Sequence, residues 1–260
     1  MFENVLSAMI FLPVVVGLAL MLLPIGTEAA RRLGFAASAI VLILGVRVFL
    51  GFSGGGGPEF VESWSLIPFL GIDYRLGVDG ISLFVLLTGA ILIPLVFLVV
   101  KHRTKAFYGN LLITAGAMAG AITAGDMVLF YVFWEVMLIP VFFMIGLYGG
   151  PGRKPATIKI FLYTVSGSLF MLAAIIYLGI VHHAQFGVWS FETAAMIGLN
   201  LQGTPALLAF IGFMLAFAIK IPLFPLHTWL PDAYTEAPAA TTFLLSAVMA
   251  KIGMTKRITA

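Results

Sequence analysis

The sequence has few charged residues. Only 10% of its 260 residues are Asp, Glu, Lys or Arg, whereas 62% are hydrophobic, and the mean hydropathy is +1.13. A soluble domain keeps about a quarter of its residues charged. Because so few charges could not cover a water-facing surface, the composition argues against a soluble all-helical protein and indicates a chain that lies largely in lipid.

The sequence also has no cysteine. Without thiols the chain cannot form a disulfide, hold an iron–sulfur cluster through Cys or build a Cys zinc site. We find neither a P-loop nor a dinucleotide-binding fingerprint after a strand. The net charge of +3 is small and the basic residues sit in short loops, so we interpret them as determinants of topology and expect no nucleic-acid binding.

Long apolar runs account for most of the chain. A helix needs about 20 apolar residues to cross the hydrocarbon core of a bilayer, and the sequence contains enough apolar material for about eight crossings. We therefore predict an all-α integral membrane protein, a polytopic bundle. The runs lie at 5–25, 33–52, 80–100, 107–124, 126–149, 157–181, 205–221 and 238–254.

The loops between the runs predict the orientation of the chain. The loops at 53–79 and 182–204 are acidic or neutral, and they alternate with basic loops. Because Lys and Arg are retained on the cytoplasmic side, we predict that the N-terminus and these two loops lie outside. The residues of the basic loops are Arg31, Arg32, Lys101, Arg103, Lys105, Arg153 and Lys154.

The N-terminal region gives two local predictions. The start of the chain carries an acidic residue, Glu3, and its first apolar run is too long for a cleaved signal peptide, so we expect a retained membrane helix. The outer loop opens with four glycines, and its segment from Trp64 to Gly77 is apolar and rich in turn formers. This pattern predicts a small hairpin outside the membrane.

Two charged residues interrupt the apolar runs far from either end. A charge at the centre of a membrane helix costs about 2.5–3.5 kcal/mol, so each is a candidate functional group. Glu135 lies near the middle of the fifth run; the structural alternative is a protonated carboxyl with one interhelical hydrogen bond. Lys220 precedes Pro222 and Pro225, which predict a broken helix, a device that transporters use at ion sites. The alternative for Lys220 is a side chain that reaches the interface.

Lys251 and a polar connection add further candidates. Lys251 lies deep in the eighth run, although interfacial placement is an open alternative there too. His227, Asp232 and Glu236 occupy the connection between the seventh and eighth runs and could relay protons, since an unperturbed His titrates near pH 6.5. Their spacing is not that of a metal site, and we expect none.

Several segments resemble one family over nearly the whole chain. It comprises the antiporter-like membrane subunits, called subunit M or chain 4, of the proton-pumping NADH–quinone oxidoreductase (respiratory complex I). The wider family includes antiporter subunits of multisubunit sodium/proton exchangers. The similar segments are LGVDGIS at 76–82, GDMVLFYVFWE at 125–135, KIP at 220–222 and PLHTWLPDA at 225–233.

The resemblance implies roles and an organisation. Glu135 would be the fifth-helix glutamate, Lys220 the lysine of a discontinuous seventh helix, and Lys251 the eighth-helix lysine on the central hydrophilic axis. Together they would carry protons. The family fold has two inverted five-helix repeats after three leading helices, so residues 1–104 would be the leading helices with the external loop and residues 105–260 the first repeat.

The resemblance also implies partners and a location. The protein would be a subunit of an ion-translocating NADH:quinone oxidoreductase with no redox centre of its own. NAD, FMN, iron–sulfur clusters and quinone would be bound by partner subunits. The partners would be other membrane subunits of that complex, in a bacterial inner membrane or an equivalent energy-transducing membrane.

The sequence departs from the family pattern at two places. Tyr234 stands where the family usually has His, and the apolar pattern stops after Gly253, with no second repeat. We therefore expect a truncated chain that does not translocate protons alone, with Lys251 at the open side of its bundle. Two other functions remain open, a subunit of a multisubunit sodium/proton antiporter and a truncated, non-functional fragment.

Overall fold

The computed structural model describes residues 4–101 and 103–255, and it describes the burial of side chains as far as residue 252. In these ranges seven helical segments are long and apolar enough to cross a membrane. The fold is therefore the predicted all-α polytopic bundle. The helices are α1 Val5–Leu22, α2 Thr27–Gly51, α3 Gly80–Val99, α4 Lys105–Thr123, α5 Met127–Val136, α6 Leu138–Tyr148, α7 Arg153–Phe186, α8 Thr193–Ile197, α9 Gly203–Lys220, α10 Trp229–Glu236, α11 Ala239–Leu244 and α12 Ala250–Thr255.

Two runs differ from the prediction in detail. The fifth run was predicted as one helix over 126–149 but is interrupted at Met137, between α5 and α6, which still form a single span. Pro140 explains the interruption, because it lacks the N–H that would bond the carbonyl of Val136. The eighth run forms a shorter apolar helical segment, Ala239–Ile252, with a π-helical stretch over Leu245–Met249. Seven full spans are thus found in the described chain where about eight were predicted.

Successive spans run in opposite directions, which gives the bundle two distinct ends. At one end, here called the basic end, Lys105 Nζ donates to the carbonyl of Leu23 at 2.6 Å, and Gly150 N donates to the carbonyl of Glu236 at 2.9 Å. At the other end, the hairpin end, lies a two-stranded sheet. The basic loops at 31–32, 103–105 and 153–154 therefore share one end, as the charge pattern requires.

The core sits where small residues let helices approach closely. α1 packs along α4, and a Cβ added to Gly17 would come within 2.7 Å of the carbonyl oxygen of Gly109. A Cβ on Gly109 would meet the carbonyl of Gly17 at 2.6 Å. Only glycine fits either position, which is typical of closely packed membrane helices.

The outer loop forms the predicted hairpin. Strand β1 (Glu59–Ile67) pairs antiparallel with β2 (Ile72–Val78), so the hairpin begins earlier than Trp64, where it was predicted to start. The turn ends at Gly71, which has φ +60° and whose added Cβ would meet the carbonyl of Trp189 at 2.0 Å. Glycine is required there for both reasons.

A buried glutamate of β1 caps the start of the first helix. Glu62 is 4% exposed and accepts hydrogen bonds from the backbone N–H groups of Leu6 at 2.7 Å and Ser7 at 3.0 Å. The Ser7 hydroxyl also bonds Glu62, at 2.5 Å, and lies 2.8 Å from the Tyr74 hydroxyl. Since the first N–H groups of a helix have no partner within it, this carboxylate ties the hairpin to α1.

Replacing Glu62 with alanine is expected to destabilise the protein. The change leaves two N–H groups of α1, one buried and one partly buried, without an acceptor, at a cost of about 1–3 kcal/mol. The melting temperature in detergent would measure the loss. Ser63→Ala, at an exposed neighbouring position of the same strand, should leave the melting temperature unchanged. Equal melting temperatures for the Glu62 variant and the wild type would contradict the capping role.

A second buried carboxylate, Asp126, fixes the start of α5. It is 1% exposed and accepts from the backbone N–H groups of Val128 at 2.8 Å and Leu129 at 3.0 Å. A third donor, Asp73 N, reaches it from β2 at 3.3 Å. Burial raises the pKa of the Asp126 carboxyl, against the effect of these three donors. Together these bonds set the depth of α5, which carries Glu135.

Candidate functional site

The seventh span breaks at a buried lysine, as predicted. α9 ends at Lys220, and after a connection that contains Pro222 and Pro225 the chain becomes helical again at Trp229. The break frees backbone groups that a membrane interior must satisfy. The indole N–H of Trp229 donates to the carbonyl of Ile219 at 2.9 Å, so a side chain from beyond the break satisfies the end of the broken helix.

Lys220 is buried against an aromatic ring. Lys220 is only 5% exposed, and its Nζ lies 4.6 Å from the centre of the Trp134 ring. Among the described residues this ammonium forms no hydrogen bond and no ion pair within 4.0 Å. An ammonium above an indole face is attracted by the electrons of the ring.

Glu135 is the charged neighbour of this lysine. It follows Trp134 in α5 and is half-buried, and its charge acts on Lys220 through space without an ion pair within 4.0 Å. α5 and α9 are neighbouring helices, since the rings of Trp134 and Phe217 lie 5.6 Å apart. The structure thus places these two candidate groups on adjacent helices, while direct contact between them would require a side-chain movement.

A small cavity adjoins Lys220. The space free for a water-sized sphere is about 10 Å³, close to what one water molecule needs. Its walls come from α6, α7, α10 and the eighth run, besides Lys220 itself; they include Thr164 of α7, Trp229, and Ala250, the residue before Lys251. Thr164 lies roughly three turns, about 16 Å, along α7 from Arg153, so this cavity lies well inside the bundle.

Lys251 lies outside this cluster. It is exposed, and its ammonium donates to the carbonyl of Ser246 in the π-helical stretch. Val248 packs near Gly89, in the middle of α3, which places Lys251 at mid-depth of the bundle. Lys251 thus lies on an exposed side of the described bundle, as expected, whereas Lys220 is buried and Glu135 is half-buried.

The three polar residues of the connection lie in separate surroundings. Asp232 forms an ion pair with Lys159 of α7 at 2.7 Å, and Glu236 accepts from the backbone N–H of Gly152 at 2.8 Å. His227 packs beside Phe224, with 5.7 Å between ring centres, and its Nδ1 is buried without a hydrogen-bond partner in the described chain. The three side chains do not form a continuous relay, and no metal-binding cluster occurs within 4–101 and 103–255.

Sequence reasoning missed two groups at this site. Trp134 and Trp229 lie in apolar or mixed segments, where an aromatic residue is usually packing, and only the fold brings both to Lys220. Lys159, the only Lys or Arg of the sixth run, gave a usable signal, because a charge inside the membrane needs a partner. The Asp232 that pairs with it is far along the chain, and no spacing rule connects the two.

The described part of the chain has seven spans, one of which is interrupted at a buried lysine beside a glutamate of a neighbouring helix. This is the arrangement of an antiporter-like helical membrane protein. The chain belongs to the transmembrane family described as NADH:quinone oxidoreductase/Mrp antiporter, whose family model matches residues 124–259. This range contains the whole candidate site, from Glu135 to Lys251.

Individual relatives support the same family. The chain is 38% identical to the F(420)H(2) dehydrogenase subunit M of Methanosarcina mazei over 87% of the chain and 47% of that protein. It is 35% identical to the NADH-quinone oxidoreductase subunit M of Escherichia coli, covering 87% of the chain and 48% of that protein. The chain spans about half the length of these relatives.

Solved structures share the fold. A chain of respiratory complex I from Thermus thermophilus, solved with bound NADH, is 37% identical with a TM-score of 0.84 over 96% of this chain and 50% of that chain. A chain of the Mrp complex from Dietzia is 23% identical, with a TM-score of 0.76 over 96% of this chain and 27% of that chain. The second likeness concerns the fold alone.

Proposed function

We propose that the chain is part of a membrane subunit of a proton-translocating NADH–quinone oxidoreductase, and that Glu135 and Lys220 carry the proton. The observation that supports this most is the buried Lys220 at the helix break, with Glu135 as its charged neighbour. A buried lysine can release a proton when its charged partner moves away. The cycle would therefore alternate between a state with Glu135 close to Lys220 and one with the two apart.

The chemistry needs no cofactor on this chain. Protonation of Lys220 Nζ takes up a proton, approach of the Glu135 carboxylate stabilises the ammonium, and separation favours release into the adjoining cavity. Electron transfer from NADH to quinone would occur on partner subunits, which would hold NAD, FMN and iron–sulfur clusters. Lys251 would pass protons to and from this pair, while His227, Asp232 and Glu236 would act as separate proton-exchanging groups rather than as one relay.

The sodium/proton antiporter alternative is less well supported. Two relatives named above are dehydrogenase or oxidoreductase subunits at 35–38% identity, whereas the Mrp structure resembles the chain at 23%. Proton uptake into vesicles, measured with the chain assembled in its own complex and driven by NADH, tests the proposal. Uptake at the rate of membranes that lack the subunit would refute it.

The proposed topology places the basic end in the cytoplasm and the N-terminus outside a bacterial inner membrane or its equivalent. Because the sequence has no native cysteine, each single-cysteine variant carries one reactive thiol in this chain, and its labelling shows on which side that residue lies. Ala29→Cys, Thr104→Cys and Arg153→Cys should react with an impermeant reagent only from the cytoplasmic side. Ser65→Cys, in β1, should react only from outside. Labelling of any of the first three from outside would overturn this orientation.

A further inference from the structure

The ring of Trp134 takes the place where a counter-ion of Lys220 would be expected. The ammonium lies 4.6 Å from the ring centre, whereas the Glu135 carboxylate is farther than the 4.0 Å of an ion pair. An aromatic face within about 6 Å of a cation attracts it, and tryptophan does so most strongly. In the state that the structure shows, the ring is therefore the direct partner of the ammonium.

The position of Trp134 makes this attraction effective. The residue is 2% exposed and packs against Phe130 at 5.3 Å and Phe217 at 5.6 Å between ring centres. Lys220 is likewise almost fully buried, so little water weakens the contact. A cation–π contact gains strength when it is desolvated. An aliphatic side chain of similar volume could fill this space but would offer no such attraction.

We propose that Trp134 is the resting partner of Lys220, a ring that holds the ammonium while Glu135 is withdrawn and so sets how readily the lysine releases its proton. This role rests on the proposed function and adds a third group to the pair. The Trp134 ring has no basic site that could accept the proton. It therefore stabilises the ammonium of Lys220 without competing for its proton. Glu135, the residue next to Trp134 in α5, is the charged neighbour that completes this group.

Fluorinated tryptophans test the proposal with little change in size. Each fluorine withdraws electrons from the ring and weakens its attraction for a cation. With one, two and three fluorines at Trp134 of the full chain in its complex, the midpoint of the pH profile of proton uptake should fall stepwise. Trp134→Leu should shift the midpoint furthest, by up to about one pH unit, or tenfold in proton affinity. Trp64, exposed in the hairpin, carries the same fluorines as the matched control and should show no trend.

A spectroscopic measurement separates this proposal from the proposed function. The chain has four tryptophans, so uniform 5-fluorotryptophan gives at most four ¹⁹F resonances, and Trp134→Phe identifies that of Trp134. Its chemical shift should titrate with pH in the wild type, keep a displaced titration in Glu135→Gln and lose it in Lys220→Met. This readout requires no translocation, so it decides the contact even where proton uptake fails. A pH midpoint independent of fluorine number, or a Trp134 titration that persists in Lys220→Met, would overturn the proposal.

Discussion

Replacing Lys220 with methionine is expected to abolish proton uptake, with a loss of at least tenfold relative to the wild type. Methionine keeps the length and apolar stem of the side chain but carries no proton. Because Lys220 is buried at the helix break and is the titratable group nearest the cavity there, no described residue could replace it. Proton uptake into inverted vesicles, followed with a pH-sensitive dye during NADH oxidation, measures the loss.

The matched control for this variant is Lys154→Met. Lys154 is exposed at the start of α7 on the basic end, so its loss removes a cation without touching the site. Native gel electrophoresis should show both variants assembled in equal amounts, because methionine keeps the apolar stem of the buried side chain at 220 and replaces an exposed side chain at 154. Uptake by an assembled Lys220→Met variant at the rate of the Lys154→Met control would refute the role of Lys220.

Replacing Glu135 with glutamine is expected to reduce proton uptake about tenfold or more. The amide has the shape of the carboxyl group but no charge with which to stabilise the ammonium of Lys220. At a separation of about 4 Å and an effective dielectric constant of 20, the lost attraction amounts to about 4 kcal/mol before desolvation. Without it, approach of residue 135 would no longer change the proton affinity of Lys220. The alternation between the close and the separated state would then no longer cause proton uptake and release.

Glu28→Gln is the control for the loss of a carboxylate. Glu28 pairs with Arg31 at 2.9 Å and with Arg32 at 3.2 Å on the exposed surface of the basic end. Such surface pairs contribute little, so uptake should stay at the wild-type rate. Unchanged uptake in an assembled Glu135→Gln variant would show that the glutamate is not part of the translocation site.

The features that depend on local composition could be predicted from the sequence. The lengths of the apolar runs predicted the membrane spans. Pro222 and Pro225 predicted the break after Lys220, and turn-forming residues predicted the hairpin. Each of these signals acts over a few neighbouring residues, through the bilayer thickness or through the missing proline N–H. The interruption at Met137 also has a local cause in Pro140, but a single proline in an apolar run predicts a kink only weakly.

The features that depend on packing could not be predicted. Trp134 reaches Lys220 only because α5 lies beside α9, and Asp126 meets Asp73 only because the hairpin folds over the end of the bundle. The polar connection looked like one relay because His227, Asp232 and Glu236 are close in sequence. In the fold, Asp232 forms an ion pair with Lys159, and Glu236 accepts a hydrogen bond from the loop before α7. Charged groups near a membrane interior pair with a partner that lies close in space, whatever its distance along the chain.

The central claim is that the Lys220 site moves protons. Simultaneous measurement of proton and radioactive sodium uptake in inverted vesicles, per NADH oxidised, tests it most directly. The proposal predicts proton uptake that is independent of added sodium in the wild type and absent in Lys220→Met, with no sodium uptake that depends on this residue. Lys220-dependent sodium uptake, or proton uptake that requires sodium, would contradict the claim and would instead support a sodium/proton antiporter.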